Sequence, residues 1–89
     1  MLIKANGIQM NYELSGKKDG PFVILSHSLG SSLLMWNPQR KVLESHLQVV
    51  RYDIRGHGKS EAPPGAYTLE LRGEDAVALL DALGIDQVH

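Results

Sequence analysis

The sequence predicts an α/β fold, an antiparallel hairpin followed by parallel βαβα units, on three observations. Asn6-Gly7 separates two extended runs of mixed polarity. Phe22–Leu25 is wholly apolar, closed by Gly20-Pro21 on one side and by a small-residue loop on the other. Leu69–Leu83 has helical periodicity between Thr68 and Gly84. Strands that alternate with helices call for βαβ units and a parallel sheet.

The hairpin comes first. Asn-Gly is the strongest short hairpin signal, because a type I′ turn needs positive φ at both central residues. It places strands at Leu2 to Ala5 and Ile8 to Leu14. In the second, Ile8, Met10, Tyr12 and Leu14 share one face, expected to meet the core, while Gln9, Asn11, Glu13 and Ser15 share the other, expected to meet water. Gly16 to Pro21 is a solvated turn. The apolar run at 22–26 reads as a strand buried on both faces. It delivers Ser28, Leu29 and Gly30 to its carboxyl end, where open α/β sheets bind ligands. No side chain there is a nucleophile with a base in reach. Its backbone N–H groups can meet a developing negative charge, as in half of an oxyanion hole.

Asn37 before Pro38 predicts an N-cap followed by proline in the first turn, so a helix is expected over roughly 38–45, with Leu33, Leu34 and Trp36 packing ahead of it. Residues 48–53 read as a further buried strand. Arg55 to Ser60 carries alternate glycines, which suit tight turns and close backbone approach. Thr68 caps the helix 69–83, whose stripe is Ala76, Leu79, Leu80 and Leu83, with Glu74, Asp75 and Asp81 mostly off it and Gly84 as the stop. Gln87-Val88-His89 begins another strand.

At 89 residues, 43% hydrophobic and net charge −1, the composition is that of one ordinary globular domain at most. The mixed charge suggests no nucleic-acid or anionic-membrane partner. There is no cysteine, hence no disulfide or thiolate metal site. The amino terminus lacks the apolar core of a signal peptide, and no run approaches the ~18 apolar residues of a membrane span. A cytoplasmic protein is the expectation.

Ser26-His27-Ser28-Leu29-Gly30-Ser31-Ser32, Met35-Trp36 and Tyr52-Asp53-Ile54-Arg55-Gly56-His57-Gly58-Lys59-Ser60 resemble the amino-terminal third of the α/β-hydrolase family. The similarity is closest to 3-oxoadipate enol-lactonases and their esterase and perhydrolase relatives. The Asp-x-Arg-Gly-His-Gly-x-Ser pattern is the more specific part; His27-Ser28 stands where His-Gly is usual. The resemblance implies that residues 1–89 are the N-terminal portion of one hydrolase domain, incomplete without a following fifth strand and nucleophile elbow. It implies a serine-type hydrolase of lactones or carboxylic esters, with no cofactor and no metal. The backbone N–H of Leu29 would be one oxyanion donor, the residue after the nucleophile supplying the other. Ser28, Leu29 and Trp36 would border the substrate, while His27, Asp53, Arg55, Gly56 and His57 would be structural near the site. The Gly-x-Ser-x-Gly elbow, the acid and the catalytic His lie outside these residues, so this chain alone is expected to be inactive.

Other readings stand beside these. Ser26, His27 and Ser28 cannot pair as nucleophile and base, since neighbours in an extended run point to opposite sides. A loop-bracing hydrogen bond suits His27 better. Asp53, Arg55 and His57 make a weak metal set without a supporting carboxylate. Trp36 either lines the pocket or packs the helix on the sheet; His46 and His89 are solvated or pair strands. The family fold also hosts perhydrolases, haloalkane dehalogenases, epoxide hydrolases and non-catalytic binding proteins. A self-standing module is the remaining reading. Against it, the strand at 22–26 would be a bare apolar edge; a second polypeptide, or a further segment of chain, is expected to cover it.

Overall fold

A computed structural model describes residues 1–27, 31–65, 67–86 and 88. Its strands are β1 (Leu2–Ala5), β2 (Ile8–Gly16), β3 (Phe22–Leu25) and β4 (Gln48–Tyr52); its α-helices are α1 (Asn37–Glu44), entered through a 3₁₀ turn at Leu33–Trp36, and α2 (Leu69–Leu83). They form one sheet in the order β1-β2-β4-β3. β2 pairs antiparallel with β1 and then with β4, while β3 runs parallel to β4, so the hairpin and the α/β class are as expected, with one parallel pairing among the described residues.

The hairpin closes through Asn6 (φ 51°) and Gly7 (φ 80°), so Ala5 pairs with Ile8 across a two-residue turn. β2 outlasts its expected end because its second half, Tyr12 to Gly16, continues onto β4. The edge of β2 not covered by β4 is sealed by the chain at 60–61: Glu61 N–H donates to the Gln9 carbonyl at 2.9 Å and Asn11 N–H to Ser60 Oγ at 2.9 Å. Both ends of α2 lie where local chemistry puts them. Thr68 Oγ1 accepts from Leu71 N–H, and Gly84 takes the left-handed cap. Leu79 of α2 is fully buried in a core with Ala5, Ile8, Met10, Tyr12, Val50 and Tyr52.

Four expectations are corrected by tertiary packing. β3 is half-buried along its length rather than buried on both faces, because among the described residues β4 is its one strand neighbour. Leu14 is 46% exposed, since α2 lies over β1 and leaves the far end of β2 uncovered. Asn11, on the supposed solvent face, is buried by a carboxylate described below. Asn37 does not cap α1: it is the first helical residue, and its Oδ1 accepts from Arg51 Nη1 at 2.7 Å instead.

Asp75 is corrected too. It lies one turn before Leu79 on the inward side of α2 and is 2% exposed, because Arg55 and Asn6 meet it there. Gln87 and His89, assigned to a further strand, lie outside the described residues, and Val88 is not in a strand. Among the described residues no helix is long and apolar enough to cross a membrane.

Candidate functional site

The carboxyl ends of β3 and β4 lie side by side, and the chain leaving each is held by the other. Asp53, the first residue after β4, is 2% exposed and organises the meeting point. One carboxylate oxygen accepts from Leu33 N–H at 2.7 Å. The other accepts from Asn11 Nδ2 at 2.8 Å and Lys59 N–H at 2.9 Å. The Asp53 carbonyl accepts from Ser60 Oγ at 2.6 Å. A buried charge is tolerable only when its lone pairs are met, and here three donors meet them. Burial pushes the Asp53 carboxyl upward, but the Lys59, Asn11 and Leu33 hydrogen bonds outweigh it and hold it below the ordinary aspartate value.

The glycine-rich turn exists to let backbone reach that carboxylate. Gly58 has φ 51°, and a Cβ on it would fall inside the Asp53 carboxylate. No L side chain fits there. Gly56 lies against the Tyr67 ring, whose hydroxyl donates to the Pro63 carbonyl at 2.6 Å.

On the β3 side, His27 is buried, and its Nε2 accepts from Ile54 N–H at 2.9 Å. That bond requires a neutral ring protonated at Nδ1 and leaves Nε2 no lone pair for base catalysis. The His57 ring lies 5.3 Å away, centroid to centroid, its Nδ1 donating to the Arg55 carbonyl at 3.1 Å. Ser26 Oγ and the Tyr52 hydroxyl share a hydrogen bond of 2.5 Å. Trp36 Nε1 donates to the Ser26 carbonyl at 2.8 Å, so the indole ties the 3₁₀ turn to the end of β3.

Arg55 points away from this cluster to a second one. Its Nε and Nη2 grip the two Asp75 oxygens at 2.9 and 2.8 Å, and Asn6 Nδ2 adds a bond of 2.8 Å, so the hairpin turn, the glycine turn and α2 are locked together. Burial raises the Asp75 carboxyl, but the Arg55 and Asn6 hydrogen bonds and the Arg55 charge bring it below the ordinary value. Asp75 in turn pushes the Arg55 guanidinium higher.

The structure thus gathers His27, Trp36 and Asp53 at one end of the sheet with His57 beside them, while Arg55 serves α2. Ser28 and Leu29, expected to border the substrate, lie outside the described residues, as does Gly30. Sequence reasoning missed Asn11, Ser60 and Asp75 as partners. Ser60 sits inside the Asp-x-Arg-Gly-x-Gly-x-Ser pattern, and the four-residue spacing of Asp75 and Leu79 was a readable sign that both turn inward. Among the described residues no three His, Asp or Glu side chains converge as a metal site. Between the ends of β3 and β4 and the start of α2 lies a cavity of about 320 Å³, bordered by Ser26, His27, Tyr52, Ile54, Arg72 and Ala76. That is the low end of volumes that hold small molecules.

Comparison with known proteins places this geometry. The family model of the alpha/beta hydrolase fold matches residues 21–89. The 3-oxoadipate enol-lactonase 2 of Acinetobacter baylyi is 41% identical over 85 residues, covering 96% of this chain and 32% of the relative. The crystal structure of an enol-lactonase from Burkholderia xenovorans superposes with a TM-score of 0.97 at 42% identity, covering all of this chain and 35% of that one. An epoxide hydrolase from Vigna radiata superposes with a TM-score of 0.89 at 35% identity, covering 99% of this chain and 29% of that one. The chain spans about a third of the length of the curated relatives it matches. By a family model covering most of its residues, and by relatives that follow the same sheet from hairpin to α2, the chain belongs to the α/β-hydrolase fold family.

Proposed function

We propose that residues 1–89 are the N-terminal portion of a serine-type hydrolase of lactones or carboxylic esters, with enol-lactones as the substrate class. One observation carries the reading: the likeness to enol-lactonases runs the whole length of the chain, at 42% identity and a TM-score of 0.97 for the solved example. The remaining segments of the fold, as a second chain or a continuation, would supply the serine, its acid and its histidine. Two surfaces suit that cover: half-buried β3, and the outer side of α2 with Leu69 79% and Val77 59% exposed. An apolar strand edge left open would invite aggregation.

In the proposed reaction the histidine takes the serine proton as the serine oxygen bonds to the lactone carbonyl carbon, and the carbonyl oxygen takes the negative charge. Leu29 N–H would stabilise that charge together with the N–H after the nucleophile. Collapse breaks the ring C–O bond, the histidine returns the proton to the leaving oxygen, and the resulting acyl-enzyme is hydrolysed by water. An epoxide hydrolase is the second reading, favoured by the Vigna radiata neighbour; the residue at the elbow would decide between them.

The test joins residues 1–89 to the corresponding remainder of the Acinetobacter baylyi lactonase. The completed enzyme is expected to hydrolyse an enol-lactone and p-nitrophenyl esters, and the 89-residue chain alone to hydrolyse neither. A folded chimera that turns over no lactone or ester, beside an active parent, would sink the proposal. In the active chimera, Leu29→Pro deletes the donor N–H and is expected to lower kcat by about 10²–10³-fold, with Leu29→Ala close to the unsubstituted enzyme. Equal kcat for the two variants would remove Leu29 from the oxyanion hole.

A further inference from the structure

We propose that the cavity between the ends of β3 and β4 and the start of α2 is a carboxylate subsite, with Arg72 as its cation. The inference rests on the hydrolase reading above and deepens it: the preferred lactone or ester carries a second, free carboxylate. Arg72 borders this cavity of about 320 Å³ and is half-buried. Among the described residues it forms no ion pair. Its neighbours one turn away on α2 are Thr68, Leu69, Asp75 and Ala76, so Asp75 is the one acid in reach along the helix. Both Asp75 oxygens are already held, by Arg55 and Asn6. A guanidinium partly withdrawn from water calls for an anion, and the described residues offer it none.

The other lining groups decide which anion fits. Ser26 Oγ and the Tyr52 hydroxyl hydrogen-bond to each other, which uses one of their two protons. The second proton has no acceptor among the described residues, and a carboxylate oxygen would take it. His27 spends Nε2 on Ile54 N–H, so Arg72 is the one fixed cation among the described residues of the lining. A single positive charge balances a carboxylate and falls short of a phosphate monoester. The planar fork of arginine meets a carboxylate in two parallel hydrogen bonds, which fixes direction as well as charge. Ile54 and Ala76 give an apolar wall for the carbon chain between that carboxylate and the reacting carbonyl. The place itself, at the carboxyl ends of the strands, is where open α/β sheets bind ligands. A substrate held by its far end is selected by binding, so the effect belongs in KM.

The experiment uses the completed enzyme and two substrates. One is the p-nitrophenyl monoester of adipic acid, with a free carboxylate; the other is its methyl ester, without one. The unsubstituted enzyme is expected to favour the free acid by about 10–100-fold in kcat/KM. Arg72→Met keeps the length and loses the charge. It is expected to raise KM for the acid by about 10–100-fold, with kcat and the methyl ester within about twofold. Arg72→Lys keeps the charge without the fork and is expected to fall between the two. Arg72→Gln carries the comparison should Arg72→Met not fold. Equal rates of the unsubstituted enzyme on both substrates, or an Arg72→Met enzyme unchanged on the acid, would each overturn the subsite while the hydrolase reading stands. So would a loss shared equally by both substrates, which would mean that Arg72 pairs with an acid of the remaining segments instead. An unsubstituted enzyme inactive on every ester and lactone would overturn the hydrolase reading, and this inference with it.

Discussion

Asp53→Asn is expected to destabilise the protein by about 2–6 kcal/mol, read as a lowered urea midpoint with an unchanged m-value. Asparagine matches the carboxylate in shape but keeps one acceptor oxygen. Whichever way the amide turns, its NH₂ faces a donor: Leu33 N–H on one side, or Asn11 Nδ2 and Lys59 N–H on the other. Each buried donor left unmet costs about 1–3 kcal/mol, and hydrogen bonds to a charged acceptor are the stronger kind. With folding stabilities of about 5–15 kcal/mol in total, the larger figure would leave little folded protein. A loss below about 1 kcal/mol would mean that water or a rearranged turn replaces the carboxylate, and that Asp53 is not the organiser described above.

Asp75→Ala is the second large effect, expected at about 3–5 kcal/mol, because it strands the Arg55 guanidinium in a nearly closed site. Arg55 is 11% and Asp75 2% exposed at the side chain, so little solvent screens the charge left behind. A double variant, Arg55→Met with Asp75→Leu, is expected to recover most of the loss, since the cost lies in the orphaned cation rather than in a missing attraction. A single variant within about 1 kcal/mol of the parent would show that Arg55 swings out to water.

Acid titration tests the same pair. Arg55 and Asn6 depress the Asp75 carboxyl in the folded state, so its stabilisation is present above the ordinary aspartate value of about 3.9. It is lost as pH falls through the lower folded value. Stability should therefore fall below about pH 4 more steeply in the parent than in Asp75→Asn. Parallel acid limbs would contradict the ion pair.

The two aspartates also show how much of this molecule was readable beforehand. The hairpin turn, the start and stop of α2 and the α/β class followed from signals that act within a few residues. Asn6-Gly7 accepts the left-handed turn, Thr68 meets an amide three positions on, and Gly84 ends the helix. The Asp-x-Arg-Gly-His-Gly-x-Ser run marked the family correctly. Within that run the division of labour was not visible. Asp53 faces in and Arg55 faces α2, and nothing in their spacing says which.

Alternation along β2 predicted its core face through Ile8, Met10 and Tyr12, then failed at Leu14 and at Asn11. Leu14 fails because burial there depends on how far α2 reaches. Asn11 fails because its partner, Asp53, is 42 residues away. Asn37 is diverted from capping by Arg51, and Asp75 is drawn into the core by Arg55, which is 20 residues before it.

By itself, then, the sequence determined where the hairpin turns, where α2 begins and ends, and which family sheet it builds, since those outcomes are settled by backbone conformation and by side chains within one turn of each other. The tertiary structure decided which polar residues go inside. A buried carboxylate is stable only where three or four donors converge on it, and that convergence exists only once β2, β4, the glycine turn and α2 have come together.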